Sequence, residues 1–297
     1  MYYALSAITG MIIAVMIMIN GMLSNHSGLY TSTVIIHVTG LILISAINRY
    51  TRESKKVFRY KLPFYLYTGG IIGVLTIVFN NMAFSKIDLS AMLALTLFGQ
   101  SVTSLVIDHY GWFGMKQVRF SPKKLVGILA VLCGIICMIS VRDLSQIVPI
   151  IVSFLAGITI VISRTINGKL AVETSVRIST WYNYFTGTIV SLILLFFISK
   201  TGNEPPLALA YNPLIYTGGI IGMCAVFITN ICVSKISSFY MTLLLFAGQI
   251  FAGIGIDIVL SHSFSIRNLI GGIIITVGLT LDMSINRRGT EKALQEG

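Results

Sequence analysis

Two amide–carboxylate pairs are the pattern in this chain best suited to chemistry. Gly99–Asp108 reads GQSVTSLVID, and Gly248–Asp257 reads GQIFAGIGID, 149 positions later. In each, an acid follows the glutamine by eight residues within an apolar run. On a helix rising about 1.5 Å and turning about 100° per residue, the acid stands roughly 12 Å from the glutamine on an adjoining face. Such groups are costly in hydrocarbon unless they pack inside a bundle or line a watered cavity. Gln100 and Gln249 therefore read as paired amides on a central solute path, or as glue between helices worth about 0.6–2 kcal/mol. Asp108 and Asp257 read as gating or proton-coupling groups at opposite mouths of that path, or as interfacial carboxylates that reach headgroup water or cap a neighbouring helix.

Other polar residues stand in similar company. Asn20 and Asn167 each precede a glycine and are expected near the ends of their helices, as path-lining breaks or as helix terminators. Asn81 and Asn230 carry the same two readings. His37 lies well inside an apolar run, and its repeat counterpart Tyr184 stands beside Trp181, Tyr182 and Asn183. Together they read as an amphipathic wall for an organic solute, or as core aromatics with satisfied polar tips. Arg164 answers to Ile17; snorkelling to the inner interface is the first expectation and pairing with an anionic solute the second. Asp282 is expected to pair with Arg287 or Arg288. The four cysteines lack metal-type spacing and read as small hydrophobes, so no metal and no cofactor is expected.

These residues need elements that suit hydrocarbon. Of 297 residues, 55% are hydrophobic and 10% charged, with a mean hydropathy of +0.88. Soluble domains carry about 25% charged residues, so the composition excludes one. Runs long enough to span, roughly 20 residues each, fall at Tyr2–Leu23, Leu29–Ile47, Leu62–Phe84, Leu89–His109 and Leu125–Val141. A second five fall at Val148–Ile166, Ile178–Ile198, Leu214–Ser234, Phe239–Val259 and Leu269–Ile285. The first run has no basic n-region and no small-residue cleavage site, so it reads as a retained span rather than a signal peptide.

The two sets of five are copies, 1–146 and 147–297. Tyr67–Gly73 and Tyr216–Gly222 are identical (YTGGIIG), and the Ile19–Gly21 triplet recurs at Ile166–Gly168. Glycines seven apart mark the fifth run of each half, Gly127 with Gly134 and Gly271 with Gly278. Five is odd, so the second copy enters the membrane upside down. With the N-terminus inside, 17 of the 21 basic residues fall on the inner side, as the positive-inside rule requires. The net charge of +11 thus follows from topology rather than from binding nucleic acid. The predicted fold is all-α, ten transmembrane helices in two inverted five-helix repeats with both termini cytoplasmic.

The twin blocks, the continuation His109–Gly114, the Ser121–Lys124 segment and the YTGGIIG pair make the chain resemble the drug/metabolite transporter superfamily. Within it, the chain resembles the YdcZ-type inner-membrane exporters in a fused two-repeat form. The resemblance implies spans one to four and six to nine around a path, with five and ten peripheral. It also implies residence in the bacterial inner membrane as a monomer or homodimer. The coupling glutamate of small multidrug relatives is missing from spans one and six. The mid-membrane groups here suit a neutral, zwitterionic or amphipathic solute. The expected function is a secondary transporter, an exporter, whose partners are a small-molecule substrate and the lipid bilayer. A lipid flippase or a non-transporting membrane scaffold is the alternative. An enzyme is not expected: the four histidines, His26, His37, His109 and His262, scatter over different depths.

Overall fold

In the computed structural model the described residues are 1–51, 61–114, 117, 124–138, 144–200, 212–233, 235–236, 238–261, 265–278 and 280. Residues 121–123 of the Ser121–Lys124 segment, the basic stretch 52–60, His262, Asp282 and the tail arginines lie outside them. Among the described residues the regular structure is helical. In chain order the helices are α1 Tyr2–Ser27, α2 Leu29–Tyr50, α3 Gly69–Ala83, α4 Leu89–Tyr110 and α5 Lys124–Met138. Then follow α6 Ile147–Glu173, α7 Val176–Ser199, α8 Gly218–Val233, α9 Ser238–Ser261 and α10 Ile266–Gly278.

Hydrocarbon dictates this. A backbone without water must satisfy its own hydrogen bonds, and the helix does so within one segment. Among the described residues, seven segments are long and apolar enough to cross a membrane. The α3 helix, the Leu129–Met138 part of α5, and α10 are shorter. The third run, expected as one helix from Leu62, instead opens with a 3₁₀ turn at Phe64–Tyr67 behind Pro63. Only at Gly69 does α3 begin, and Gly69 and Gly70 lie directly against the Asn167 side chain and the Asn183 carbonyl.

Two helices run longer than expected. Asn20-Gly21 and Asn167-Gly168 neither break nor end α1 and α6, which continue to Ser27 and Glu173. Both glycines lie under a side chain from elsewhere, Phe84 on Gly21 and Val233 on Gly168, so the pairs serve packing within a continuous helix. The stop comes at Gly28, whose φ of 89° and ψ of 161° suit a residue without Cβ.

Polarity is inverted relative to a soluble protein. Ile136, Phe196 and Phe197 are exposed, whereas Thr9, Ser32, His37, Gln100, Ser153 and Thr180 are buried. An apolar exterior around a polar interior is what lipid solvation selects.

The two copies pack on each other reciprocally. Gly69 meets the Asn167 amide oxygen, and its equivalent Gly218 meets that of Asn20. Gly40 faces the Tyr184 ring while Gly187 faces the His37 ring. Gly157 lies on the Thr96 carbonyl of α4, and Gly10 on the Leu245 carbonyl of α9. Reciprocal pairs of this kind are the mark of a self-complementary interface between two copies of one unit. The seven-spaced glycines serve a seam inside the molecule: Gly134 and Gly271 face each other's carbonyls, and Gly278 abuts Ala130. A Cβ at these positions would hold α5 and α10 apart.

Candidate functional site: a central cavity between the copies

A cavity of about 160 Å³ lies between the two halves. Four helices line it with one stripe each, at positions i, i+3, i+4 and i+7, the spacing that keeps side chains on one helical face. The stripes are 13/16/17/20 on α1, 73/76/77/80 on α3, 160/163/164/167 on α6 and 222/225/226/229 on α8. Stripes on α1 and α6 are repeat equivalents, as are those on α3 and α8. Gln100 and Gln249 join the lining from α4 and α9, with His37 from α2 and Asn183 and Tyr184 from α7.

The structure brings eight of the twelve sequence-selected residues to this cavity: Gln100, Gln249, His37, Tyr184, Asn183, Asn20, Asn167 and Asn230. Gln100 and Gln249 are buried, at 2% and 3% exposure, on two helices that cross antiparallel. Leu93 of α4 meets Gly253 of α9, and Ser104 Oγ lies 3.3 Å from Thr242 Oγ1. These hydroxyls are one of the polar links between α4 and α9, and both glutamines line the cavity.

Asn167 is held by α7 and by its own helix. Its Nδ2 donates to Asn183 Oδ1 at 2.8 Å and to Ser163 Oγ at 3.3 Å. Ser163 Oγ in turn donates to the Gly69 carbonyl at 2.8 Å. His37 Nδ1 lies 2.9 Å from the Thr33 carbonyl. A carbonyl only accepts, so Nδ1 carries the proton and a neutral ring leaves Nε2 as an acceptor. The His37 and Tyr184 rings lie 6.0 Å apart, so the two repeat counterparts meet across the junction.

Four selected residues lie elsewhere. Trp181 stacks on Phe185 at 4.5 Å and donates Nε1 to Ser45 Oγ at 3.0 Å, which turns the indole away from the solute-sized space. Asn81 Nδ2 reaches Ser32 Oγ at 3.4 Å, while its neighbour Asn80 takes the lining position. Asp257 caps another helix: its two carboxylate oxygens accept Leu89 N–H and Ser90 N–H, each at 2.9 Å. Asp88, the residue at the N-cap position of α4, makes no side-chain cap; its Oδ2 accepts Asn268 Nδ2 at 3.0 Å instead. Asp108 is buried at 4% exposure and supplies an attractive charge to Arg164.

Arg164 corrects the interfacial expectation. It does not snorkel: it is 6% exposed and lines the cavity. The second expectation for it, pairing with an anionic solute, places it on the path; Thr76, Asn80 and Ser163 were missed altogether. The signal was present, because Arg164 and Ser163 stand three and four positions before Asn167. Among the described residues no cluster of three His, Cys, Asp or Glu side chains could hold a metal.

Among curated protein sequences none matches this chain. One solved crystal structure of a protein is similar over 97% of this chain and 96% of its own, with a TM-score of 0.67 at 13% identity; that likeness speaks to the fold. The family model described as "Putative inner membrane exporter, YdcZ" matches residues 1–137 and again 148–281, one match for each set of five helices. With an apolar exterior, a polar cavity between two copies and that double match, the chain belongs to the YdcZ-type inner-membrane exporters of the drug/metabolite transporter kind.

Proposed function

We propose that the protein is a secondary transporter that exports a small neutral, zwitterionic or amphipathic organic solute by alternating access, with the central cavity as the solute site. One observation carries this reading: the cavity is lined by the same stripe from each copy. A site on the junction of two equivalent halves is reached from either side by equivalent movements. The charge distribution of the loops favours inverted copies, ten crossings and cytoplasmic termini, and the reciprocal glycine contacts agree with it. The bilayer is then the chain's main partner, and nucleic acid has no role. A monomer holds one whole cavity, so a homodimer would place two side by side.

Flux is the test. Purified protein in liposomes, loaded with a panel of metabolites and amphipathic drugs, releases at least one solute faster than protein-free liposomes. Gln100→Leu slows that release at least tenfold. Movement of fluorescent lipid between leaflets without any solute flux would favour a flippase, and neither activity would leave a scaffold. For topology, single cysteines replacing Lys86 and Arg49, in a variant lacking the four native cysteines, are labelled in intact cells by an impermeant maleimide. The expected result is labelling at 86 and none at 49; the reverse overturns the assigned orientation.

A further inference from the structure

The two copies give the cavity the same stripe but not the same chemistry. On α1 the stripe reads Ile13, Met16, Ile17, Asn20; on α6 it reads Ile160, Ser163, Arg164, Asn167. Helix α3, which packs on α6 and α7, adds Thr76 and Asn80 to the same side as Arg164. Helix α8, which packs on α1 and α2, adds Ala225, Val226, Thr229 and Asn230 to the side of Ile17. Both walls carry polar groups, but the charge stands on one alone, and Ser163 and Thr76 there have Met16 and Ala225 as their equivalents. The repeat accounts for the stripes; it does not account for a guanidinium where the other copy keeps an isoleucine.

The guanidinium is only partly satisfied. Arg164 Nη2 donates to Thr242 Oγ1 at 2.6 Å, and Thr242 is itself close to Ser104, so one edge of the group is fixed. Nε and Nη1 are buried and have no hydrogen-bond partner among the described residues. A guanidinium carries five N–H donors and stays charged. A buried charge with open donors costs free energy that an anion on those donors returns. No acid is among the lining residues, and the attraction of Asp108 leaves both nitrogens open.

We infer that Arg164 is an anion subsite within the cavity, taking the carboxylate of a small amphipathic acid or zwitterion whose apolar part lies on the Ile13–Met16–Ile17 wall. This rests on the cavity being the solute site and narrows its solute to one with a negatively charged end. The size agrees: an apolar cavity of about 150 Å³ accepts benzene, close to the volume here.

Benzoate and benzamide share one ring and differ in charge, so they test the assignment directly. Apparent affinities are read from ligand-dependent thermal stabilisation of the purified protein in detergent. Benzoate is expected to bind at least tenfold more tightly than benzamide. Arg164→Ile, which gives α6 the residue α1 already holds, removes that preference and leaves benzamide within twofold. Arg164→Lys retains charge but not the planar fork, and keeps a reduced preference for benzoate. Its folding is independent of the isoleucine variant. Equal binding of the two probes by the unaltered protein overturns the subsite, as does an unchanged preference in Arg164→Ile. So does failure of benzoate to bind at all. The solute-site reading has its own readout: loss of flux in Gln100→Leu stands or falls without reference to charge.

Discussion

Asp257→Ala is expected to destabilise the protein chiefly by uncapping a helix that is not its own. The first N–H groups of any helix have no partner within it. In α4 two of them, Leu89 N–H and Ser90 N–H, donate to the two oxygens of Asp257, each at 2.9 Å. Hydrogen bonds to a charged group are worth about 1.5–3 kcal/mol each, and N-cap replacements cost about 0.5–2 kcal/mol. Asp257 is half-buried, so water restores part of the loss, and about 2–3 kcal/mol is expected for alanine. Asp257→Asn keeps one acceptor oxygen and loses the charge at a helix N-terminus, where charge alone contributes about 0.3–1 kcal/mol; roughly half the cost is expected. Asp88→Ala, which removes only the bond from Asn268, should cost about 1 kcal/mol. The assay is reversible unfolding of purified protein in mixed micelles with increasing denaturing detergent, alongside solute flux. Uncapping at this tie between α9 and α4 should also speed flux relative to its effect on stability if the bonds break during transport. Refutation is simple: Asp257→Ala as stable as the parent, with Asp88→Ala the more damaging change, would mean that Asp88 caps α4.

Three further perturbations separate packing from solute contact. Gly157→Ala drives a Cβ into the Thr96 carbonyl and the Gln100 backbone nitrogen. Overpacking of this kind costs about 1–3 kcal/mol, read as a lower unfolding midpoint. Gly255→Ala meets nothing within 4 Å and should be neutral or up to about 1 kcal/mol more stable from helix propensity; a loss there would contradict the packing of α9. Trp181→Phe removes the bond to Ser45, costs about 1 kcal/mol, and leaves flux unchanged because the indole lies off the cavity. Gln249→Leu should do the reverse, with flux down at least tenfold and the unfolding midpoint within a few degrees of the parent.

Much of this protein was legible in its sequence. An apolar composition with 10% charge leaves only membrane-type helices, since hydrocarbon satisfies no backbone group. The duplicated Gly-Gln and YTGGIIG blocks announced two copies. Eight residues of the cavity were chosen by type and by repeat position, because amides, asparagines and a histidine have no inexpensive place in lipid and Tyr184 answers to His37. Tertiary structure decided what type and spacing left open. Asn20 and Asn167 read locally as helix stops or path-lining breaks, but both helices run on to Ser27 and Glu173, with side chains packed over Gly21 and Gly168. Asp257 looked like a gate or a cap until the start of α4 arrived at its carboxylate, a contact between residues 168 positions apart. Arg164 looked like an interfacial cation because depth cannot be read from a residue near a span's end. Its burial follows from the face of α6 that packing on α3 and α4 turns toward the cavity. The opening pair of amides and acids thus divides by position on the helix: the glutamines face the space between the copies, and Asp257, eight residues along, is spent on holding them together.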